Sequence, residues 1–345
     1  MSPEPARKIL IVRRDNIGDL VCTTPLIAAL RARLPDAWIG VLANSYNAPV
    51  LEGNPDIDEV LVYTKAKHRA AGEFLPAILW RRLRMMRRLR AMKLDDVILA
   101  NPAFQPRLLA QARWLAPRRI VGFGPPDRLD VALSADDEGR HEVEDVFRLG
   151  TAFGIDGIPP PCRVVGPAIT PSPMPTVGIH VSARKPSQRW SAAKFAETIV
   201  ALAAREPLRF LLLWSPGPAD NPMHPGDNEK AREILQRVGE RATVIARPTH
   251  RLAELIAALA ECDALICADG GAMHLAAGLG TPIVCLFGNS GAARWRPWGV
   301  PYRLLQEPSL DVGDISTTDV ACAFIELATN SSNDRFQFHL KQKTS

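Results

Sequence analysis

Two short segments place chemically active residues where apolar runs of the chain end. Asp19 follows the first such run in RRDNIGDLVCTTP, and Gly18 before it permits a tight turn. A carboxylate at this position can accept a proton as a general base, or it can cap the helix that follows. The spacing leaves both interpretations of Asp19 open. Because G-x-G-x-x-G is absent from this turn, the sequence disfavours a dinucleotide site.

The second segment is ALICADGGAMHLAAGLG, in which an apolar run ends in an acidic residue and two glycines. Unpaired backbone N–H groups at a helix start after such glycines favour phosphate binding. His274, one turn into this helix, is interpreted either as a further hydrogen-bond donor or as a packing residue. We expect a diphosphate site built from Asp269, Gly270, Gly271, Ala272, Met273 and His274.

Two more segments supply basic, hydroxyl and acidic side chains after apolar runs. The first is GIHVSARKPSQRWSAAKF, where Trp190 and Phe195 are predicted to pack in a core. Its candidates for holding phosphates or a sugar are Ser182, Arg184, Lys185, Ser187, Gln188 and Arg189. The second segment contains Glu229 at a helix start, where a carboxylate can accept hydrogen bonds from a ribose or act only as a first-turn acid.

A strongly basic stretch, WRRLRMMRRLRAMK, occupies residues 80–93. Arginines on one helix favour contact with an anionic partner, which the sequence leaves open between phospholipid head groups, a phosphorylated acceptor and nucleic acid. The alternative is a solvated basic face with Leu83, Met86 and Leu89 turned to the core. An RNA-binding signature and a zinc finger are both absent, so the sequence disfavours nucleic acid.

Strands and helices that alternate along the chain are predicted to position these segments. Apolar, β-branched runs alternate with helical stretches from KILIVRR onward, and a second such series begins at TVGIHVS, which predicts two α/β domains with parallel sheets. The proline-rich residues 166–176 are the expected linker. We expect domains at residues 1–165 and 177–328 that face each other across a cleft, and a flexible tail at residues 329–345.

Composition narrows the protein class. The chain has 345 residues, of which 47% are hydrophobic and 23% are charged, with a formal net charge of +5. This length suits two globular domains. No apolar run approaches the roughly 18 residues that cross a bilayer, and the start lacks a signal-peptide pattern, so we expect a cytoplasmic protein. Six scattered cysteines lack metal-ligand spacing and are expected to be buried free thiols.

Taken together, the segments resemble glycosyltransferase family 9, the heptosyltransferases of bacterial lipopolysaccharide core assembly. The resemblance runs over most of residues 8–300. It rests on IGDLVCTTPLIAALRARLPDAWIGVLA followed by LEGNPDIDEV, and on ADGGAMHLAAGLGTPIVCLFGNSGAARWRPWG. It implies a GT-B fold of two Rossmann-like domains, with an acceptor-binding domain first and a nucleotide-sugar-binding domain second.

The resemblance also implies roles for residues. Asp19 would be the catalytic base of an inverting transfer from a donor such as ADP-heptose, without a cofactor or a required metal. The donor would contact Ser182, Lys185, Gln188, Arg189, Glu229 and residues 269–274. A lipopolysaccharide-core or other lipid-linked glycan acceptor would contact Arg84, Arg87 and Arg88, and peripheral attachment to the inner face of the inner membrane is left open.

One position departs from the family pattern. Many members carry a phosphate-binding lysine two residues before the tryptophan of the third segment, where this chain has Gln188 between Lys185 and Arg189. The alternatives are therefore a shift of the charge to a neighbour, a different nucleotide-sugar donor or polysaccharide acceptor, or a catalytically silent nucleotide-sugar-binding protein. Competition of ADP against UDP and GDP for binding to the protein distinguishes the possible donors. Detected turnover of a donor would exclude a catalytically silent protein.

Overall fold

The computed structural model describes residues 6–63, 75–135, 139–170, 172–220 and 226–329. The chain divides into two compact units, residues 1–165 and residues 166–345. Each unit contains its own six-stranded sheet.

The first unit alternates short strands with helices. Its strands are β1 (Lys8–Val12), β2 (Trp38–Asn44), β3 (Glu59–Tyr63), β4 (Asp96–Leu99), β5 (Arg119–Phe123) and β6 (Val131–Leu133). Its helices are α1 (Ile17–Val21), α2 (Thr24–Arg33), α3 (Leu75–Ala91), α4 (Pro106–Leu115) and α5 (Glu142–Phe147).

The second unit repeats this alternation. Its strands are β7 (Thr176–His180), β8 (Arg209–Trp214), β9 (Thr243–Pro248), β10 (Ala264–Ala268), β11 (Ile283–Phe287) and β12 (Tyr302–Gln306). Its helices are α6 (Ala192–Ala203), α7 (Asn228–Val238), α8 (Leu252–Ala260), α9 (Gly271–Gly278), α10 (Ala292–Trp295) and α11 (Thr317–Thr329).

Both sheets have the same strand order. The first runs β3-β2-β1-β4-β5-β6 and the second runs β12-β11-β10-β7-β8-β9, with every neighbouring pair parallel. Each chain path therefore starts in the middle of its sheet, turns outward, and then returns to the other side of the first strand. In such sheets a ligand site lies at the carboxyl ends of the two middle strands, where the order reverses. Those strands are β1 and β4 in the first unit, and β7 and β10 in the second.

Apolar side chains from strands and helices fill separate cores. In the first unit Leu10 and Val97 of the middle strands pack with Leu89 of α3. In the second unit Trp190 and Phe195 are buried with their rings edge-to-face at 4.9 Å, as the sequence predicted, and the Trp190 indole N–H donates to the Ile315 carbonyl at 3.0 Å. The buried helix faces thus hold the sheets in place.

A buried ionic cluster lies at the amino ends of the strands in the first sheet, the ends opposite to those where ligands bind. Asp96, at the start of β4, is fully buried and accepts hydrogen bonds from Arg7 and Arg119, each at 2.7 Å from its Nε. These arginines lie at the amino ends of the strands, away from the edge where ligands bind in this fold. The cluster therefore fixes strand ends.

The α/β architecture of two doubly wound parallel sheets is confirmed. The expected linker ends where β7 begins at Thr176, while the expected tail, apart from Thr329 at the end of α11, lies outside the described residues. All six cysteines are free, and of them only Cys322 is exposed. Among the helices of the described residues, none is long and apolar enough to cross a membrane.

Replacing Ile266 tests the core of the second unit. Ile266 is fully buried on β10, so Ile266→Ala is expected to lower the free energy of unfolding by about 2–5 kcal/mol, measured by urea unfolding. Ile158→Ala is the control, because Ile158 is 91% exposed. Equal effects of the two changes would contradict the placement of Ile266.

Candidate active site

A buried arginine lies at the carboxyl ends of the middle strands of the first sheet and binds several groups there. Arg13 directly follows β1, and its side chain is only 1% exposed. Its Nη2 lies 2.6 Å from both Asp19 Oδ1 and Glu142 Oε1, and its Nε lies 3.2 Å from Asp15 Oδ2. Nη1 donates to the carbonyl of Ala100, the residue after β4. One guanidinium thus joins the two middle strands to three carboxylates.

The charges around Arg13 decide its protonation. Burial by itself lowers the pKa of the Arg13 guanidinium, but the carboxylates of Glu142, Asp19 and Asp15 outweigh burial and raise the pKa above its usual value. Arg13 is therefore a permanent cation. Because the side chains of Arg13 and Glu142 are almost fully buried, their pairing is shielded from screening by salt.

Asp19 is held on both oxygens and keeps room for a proton. Its Oδ2 accepts from the backbone N–H and the side-chain amide of Asn16, each at 3.0 Å, while Oδ1 pairs with Arg13. Asn16 is the N-cap of α1 and Asp19 is its third helical residue, so the two form a capping box, as the capping interpretation of Asp19 expects. A carboxylate has about four acceptor sites. These described donors occupy three, and the fourth lies on Oδ1, in a side chain 13% exposed.

Aromatic and basic side chains extend this edge towards α3. The guanidinium carbons of Arg14 and Arg82 lie on the Tyr63 ring, each 4.2 Å from its centroid. Burial, the largest influence, lowers the pKa of Arg14. Asp15 accepts from the Asn101 amide at 2.6 Å. The loop after β1 is therefore fixed from β3, β4 and α3.

In the second unit, the loop after β10 leads into α9. Asp269, Gly270 and Gly271 are half-buried at the carboxyl edge, whereas Ala272, Met273 and His274 are buried within the helix. A Cβ built on Gly270 would enter open space. Room therefore exists beside the first N–H groups of α9. His274 packs edge-to-face on Trp295, with ring centroids 5.9 Å apart, so its packing interpretation describes at least part of its role.

The loop after β7 is fastened to this edge by Gln188. The Gln188 amide nitrogen donates to Asp269 Oδ2 at 2.9 Å and to Ser290 Oγ at 3.1 Å. Ser187 Oγ bonds to Asn289 Oδ1 at 2.9 Å. A Cβ on Gly288 would lie 2.2 Å from the Ser187 carbonyl oxygen, so glycine is required at this close approach. Gln188 thus positions Asp269 and supplies no charge.

The loop after β7 also carries basic and hydroxyl side chains. Lys185 is exposed, and Arg189 is half-buried with its Nε donating to the Ala183 carbonyl at 3.0 Å. Ser182 Oγ accepts from the backbone N–H of Ser215 at 2.8 Å. Glu229 is exposed in the first turn of α7. The predicted donor-binding residues in segments 182–189 and 269–274 therefore lie together at the carboxyl ends of β7 and β10.

Two titratable residues in this region escaped the sequence analysis. Lys230 Nζ donates to the Val181 carbonyl at 2.8 Å, and burial lowers the pKa of Lys230 to about 8. Burial, together with the charge of Lys230, lowers the pKa of His180 to about 4. At neutral pH His180 is therefore neutral, and Lys230 is a cation next to the Ser182 loop.

The predicted acceptor-binding arginines lie on α3. Arg84, Arg87 and Arg88 are all exposed, and Arg88 forms an ion pair with Glu59 of β3. A groove of about 530 Å³ separates α3 from β3, and it is lined by Glu59, Val60, Leu61, Val62, Trp80, Arg81, Arg84, Met85 and Arg88. Leu89 is buried and Met86 packs against the same core, as that alternative expected, but it is wrong for Leu83, which is 43% exposed.

Sequence reasoning also missed Arg13, Asp15 and Glu142. The first two lie inside the RRDNIGD segment, so their place near Asp19 was readable from the sequence. Glu142 is 129 residues from Arg13, and only the docking of α5 brings it there. No local signal marked Glu142 as part of the same cluster.

Comparison with known proteins identifies related sequences. A family model described as glycosyltransferase family 9 (heptosyltransferase) matches residues 82–311. Lipopolysaccharide heptosyltransferase 3 from Escherichia coli is 26% identical over 298 residues, which cover 81% of this chain and 83% of that protein.

Solved structures share the fold. A glycosyl transferase family 9 protein from Veillonella parvula superposes with a TM-score of 0.78 at 20% identity, covering 94% of this chain and 98% of that one. The E. coli heptosyltransferase WaaC with ADP gives 0.75 at 18%, covering 93% and 99%. The same protein with ADP-2-deoxy-2-fluoro heptose gives 0.68 at 17%, covering 92% and 99%. The fold is therefore GT-B.

Removing the charge of Arg13 tests the ionic cluster. Arg13→Leu leaves Asp15, Asp19 and Glu142 without their shared cation, and is expected to lower the free energy of unfolding by about 3–5 kcal/mol near neutral pH. The three negative charges then face one another in a largely buried site with no compensating cation. The loss is thus present at neutral pH and shrinks as acid protonates them, which urea unfolding at several pH values measures.

The matched control is Arg237→Leu, which removes an exposed arginine paired with Glu233 on α7. This change is expected to shift the free energy of unfolding by less than about 0.5 kcal/mol. An Arg13→Leu loss as small as the control, or one that does not change with pH, would contradict the cluster.

Proposed function

Because the chain belongs to glycosyltransferase family 9, we propose that this enzyme transfers heptose from ADP-heptose to the lipopolysaccharide core by a single inverting displacement. The observation that carries the proposal is the Asp19 carboxylate, which Arg13 and Asn16 hold with one acceptor site on Oδ1. Support for the donor and the acceptor comes from the relatives: heptosyltransferases solved with ADP and with an ADP-heptose analogue, and lipopolysaccharide heptosyltransferase 3.

In this mechanism Asp19 acts as the general base. The acceptor hydroxyl oxygen attacks the anomeric carbon of the heptose, and its proton passes to Asp19 Oδ1. The bond from the anomeric carbon to the diphosphate oxygen breaks, and ADP departs with that electron pair. Arg13 fixes the orientation of the Asp19 carboxylate, because its Nη2 lies 2.6 Å from Asp19 Oδ1.

The second unit is proposed to hold the donor. The N–H groups at the start of α9, next to Asp269, Gly270 and Gly271, favour the negative charge of the diphosphate, and the open space beside Gly270 gives it room. Lys185 and Arg189 add positive charge that Gln188 does not supply. Glu229 is proposed to accept a hydrogen bond from the ribose. Further donor contacts are proposed for Ser182, Gln188, Ala272, Met273 and His274.

The acceptor is proposed to contact the arginine helix of the first unit. Arg84 and Arg87 are exposed on α3, and Arg88 is already bound to Glu59, so we assign the anionic groups of the acceptor mainly to the first two. A lipid-linked acceptor would place the reaction at the inner face of the inner membrane, with the enzyme in the cytoplasm.

One observation favours a second candidate. Gln188 stands where many members have a phosphate-binding lysine, and its amide is taken up by Asp269 and Ser290. A different nucleotide-sugar donor is therefore the alternative within the same chemistry. Competition of ADP against UDP and GDP for the protein distinguishes the two, because only the preferred nucleotide should displace bound donor at low concentration.

Asp19→Asn tests the base. The amide has nearly the shape of the carboxylate but cannot accept the proton, so kcat is expected to fall by about 10²–10⁴-fold. Released ADP and the mass of the acceptor measure turnover with ADP-heptose and truncated lipopolysaccharide core. The Kd of ADP should not change, because the donor residues lie in the other unit. Asp127→Asn is the control, since Asp127 is exposed. Equal kcat for the two variants would overturn Asp19 as base.

Lys185→Met and Arg189→Met test how the charge of the missing family lysine is supplied. A charge-assisted hydrogen bond to the diphosphate contributes about 1.5–3 kcal/mol, so loss of the binding cation should weaken ADP about tenfold or more by calorimetry. Adenosine, which has no phosphate, should bind all variants equally. Arg237→Met controls for net charge. If neither variant weakens ADP more than the control does, the diphosphate is not held by this loop.

A further inference from the structure

Helix α3 carries large apolar side chains on the side that faces away from the core. Ile78 and Leu89 are buried, whereas Leu79, Trp80 and Leu83 are 54%, 60% and 43% exposed. Residues three and four positions apart share one side of a helix, so Leu79, Trp80 and Leu83 form one continuous apolar strip. Contiguous exposed apolar side chains of this kind are typical of binding surfaces.

Arginines flank the apolar strip. Arg84 and Arg87 fall on the same side, one turn after Trp80 and Leu83, and the Arg84 guanidinium carbon lies 5.5 Å from the centroid of the Trp80 ring. The helix has six arginines and no acidic residue between Leu75 and Ala91. We call Leu79, Trp80, Leu83, Arg84 and Arg87 the outer face of α3.

The neighbouring edge strand extends this surface. β3 is an edge strand of its sheet. Its residue Val62 is 46% exposed and, like Trp80 and Arg84, lines the groove between β3 and α3. Glu59 is the acidic residue among those lining the groove, and it is paired with Arg88. The exposed charge of the outer face is thus positive.

We propose that the outer face of α3 docks this enzyme on the surface of an anionic phospholipid bilayer. Leu79, Trp80 and Leu83 enter the boundary between head groups and acyl chains, and Arg84 and Arg87 bind phosphates at the bilayer surface, in which the lipid-linked acceptor is embedded. Basic amphipathic helices with tryptophan on the apolar side bind membranes in this way. Leu79 and Leu83 favour a bilayer over single-stranded nucleic acid, which is bound through aromatic stacking and phosphate contacts.

Helix α3 is linked to the segment of the candidate base through side chains that share the Tyr63 ring. Arg82 of α3 stacks on Tyr63, and Arg14, which follows Arg13, stacks on the same ring. Docking through α3 would therefore hold the segment from Arg13 to Asp19 close to the bilayer. The inference deepens the proposed function, on which it rests in one respect, namely that the acceptor is lipid-linked.

Vesicle sedimentation of the full-length protein, without donor or acceptor, tests the proposal. Wild type should bind vesicles containing phosphatidylglycerol far more tightly than vesicles of phosphatidylcholine alone, and less tightly as salt rises. Arg84→Gln with Arg87→Gln should weaken binding by about fivefold per arginine. The combined change Leu79→Ser, Trp80→Ala and Leu83→Ser should abolish the binding that persists at high salt.

Matched controls remove an exposed apolar residue or a charge elsewhere. Ile158→Ser and Arg237→Gln should sediment as wild type does, and unchanged ADP binding by every variant shows that the protein is folded. Binding that ignores lipid charge, absent vesicle binding, equal loss in the controls, or binding of RNA without vesicles would each overturn the proposal. None of these outcomes bears on sugar transfer, which the Asp19→Asn kinetics test separately.

Discussion

The first unit depends on the burial of a single guanidinium among three carboxylates. Removing ions from water is costly, and the cost is offset only when every charge has close partners. Arg13 meets this condition by contacting Asp15, Asp19, Glu142 and the Ala100 carbonyl at once. Its contacts join β1, β4, α1 and α5. The ion pairs of Arg13 that hold these elements together therefore also orient Asp19, the carboxylate proposed as the general base.

The strand order explains why the polar residues gather where they do. In both units the middle strands end at one edge, where the order reverses, and this edge receives Arg13 and Asp19 in one unit and Asp269 and Gln188 in the other. Asp96 lies at the opposite edge with Arg7 and Arg119. The chemistry of the two ionic clusters is alike, but their positions in the fold separate the structural one from the candidate site.

Local pattern was sufficient to predict the architecture and to place part of the candidate site at the carboxyl ends of strands. Alternating apolar runs and helical periods identified both doubly wound sheets, and strand-turn-helix segments identified Asp19 and Asp269. Partners distant in sequence could not be predicted, because pairing Arg13 with Glu142, or Gln188 with Asp269, depends on how separate elements dock. Leu83 shows the limit of periodicity: apolar spacing on α3 does not reveal which side of the helix meets the core.

The central claim is that Asp19 assists a direct displacement, and the configuration of the product tests it most directly. The anomeric configuration of the new linkage would be determined by NMR after wild-type enzyme is given ADP-heptose and truncated lipopolysaccharide core. A single displacement predicts a linkage inverted relative to the donor. Retention of the donor configuration would exclude a single back-side displacement, and would contradict Asp19 as the base of an inverting transfer.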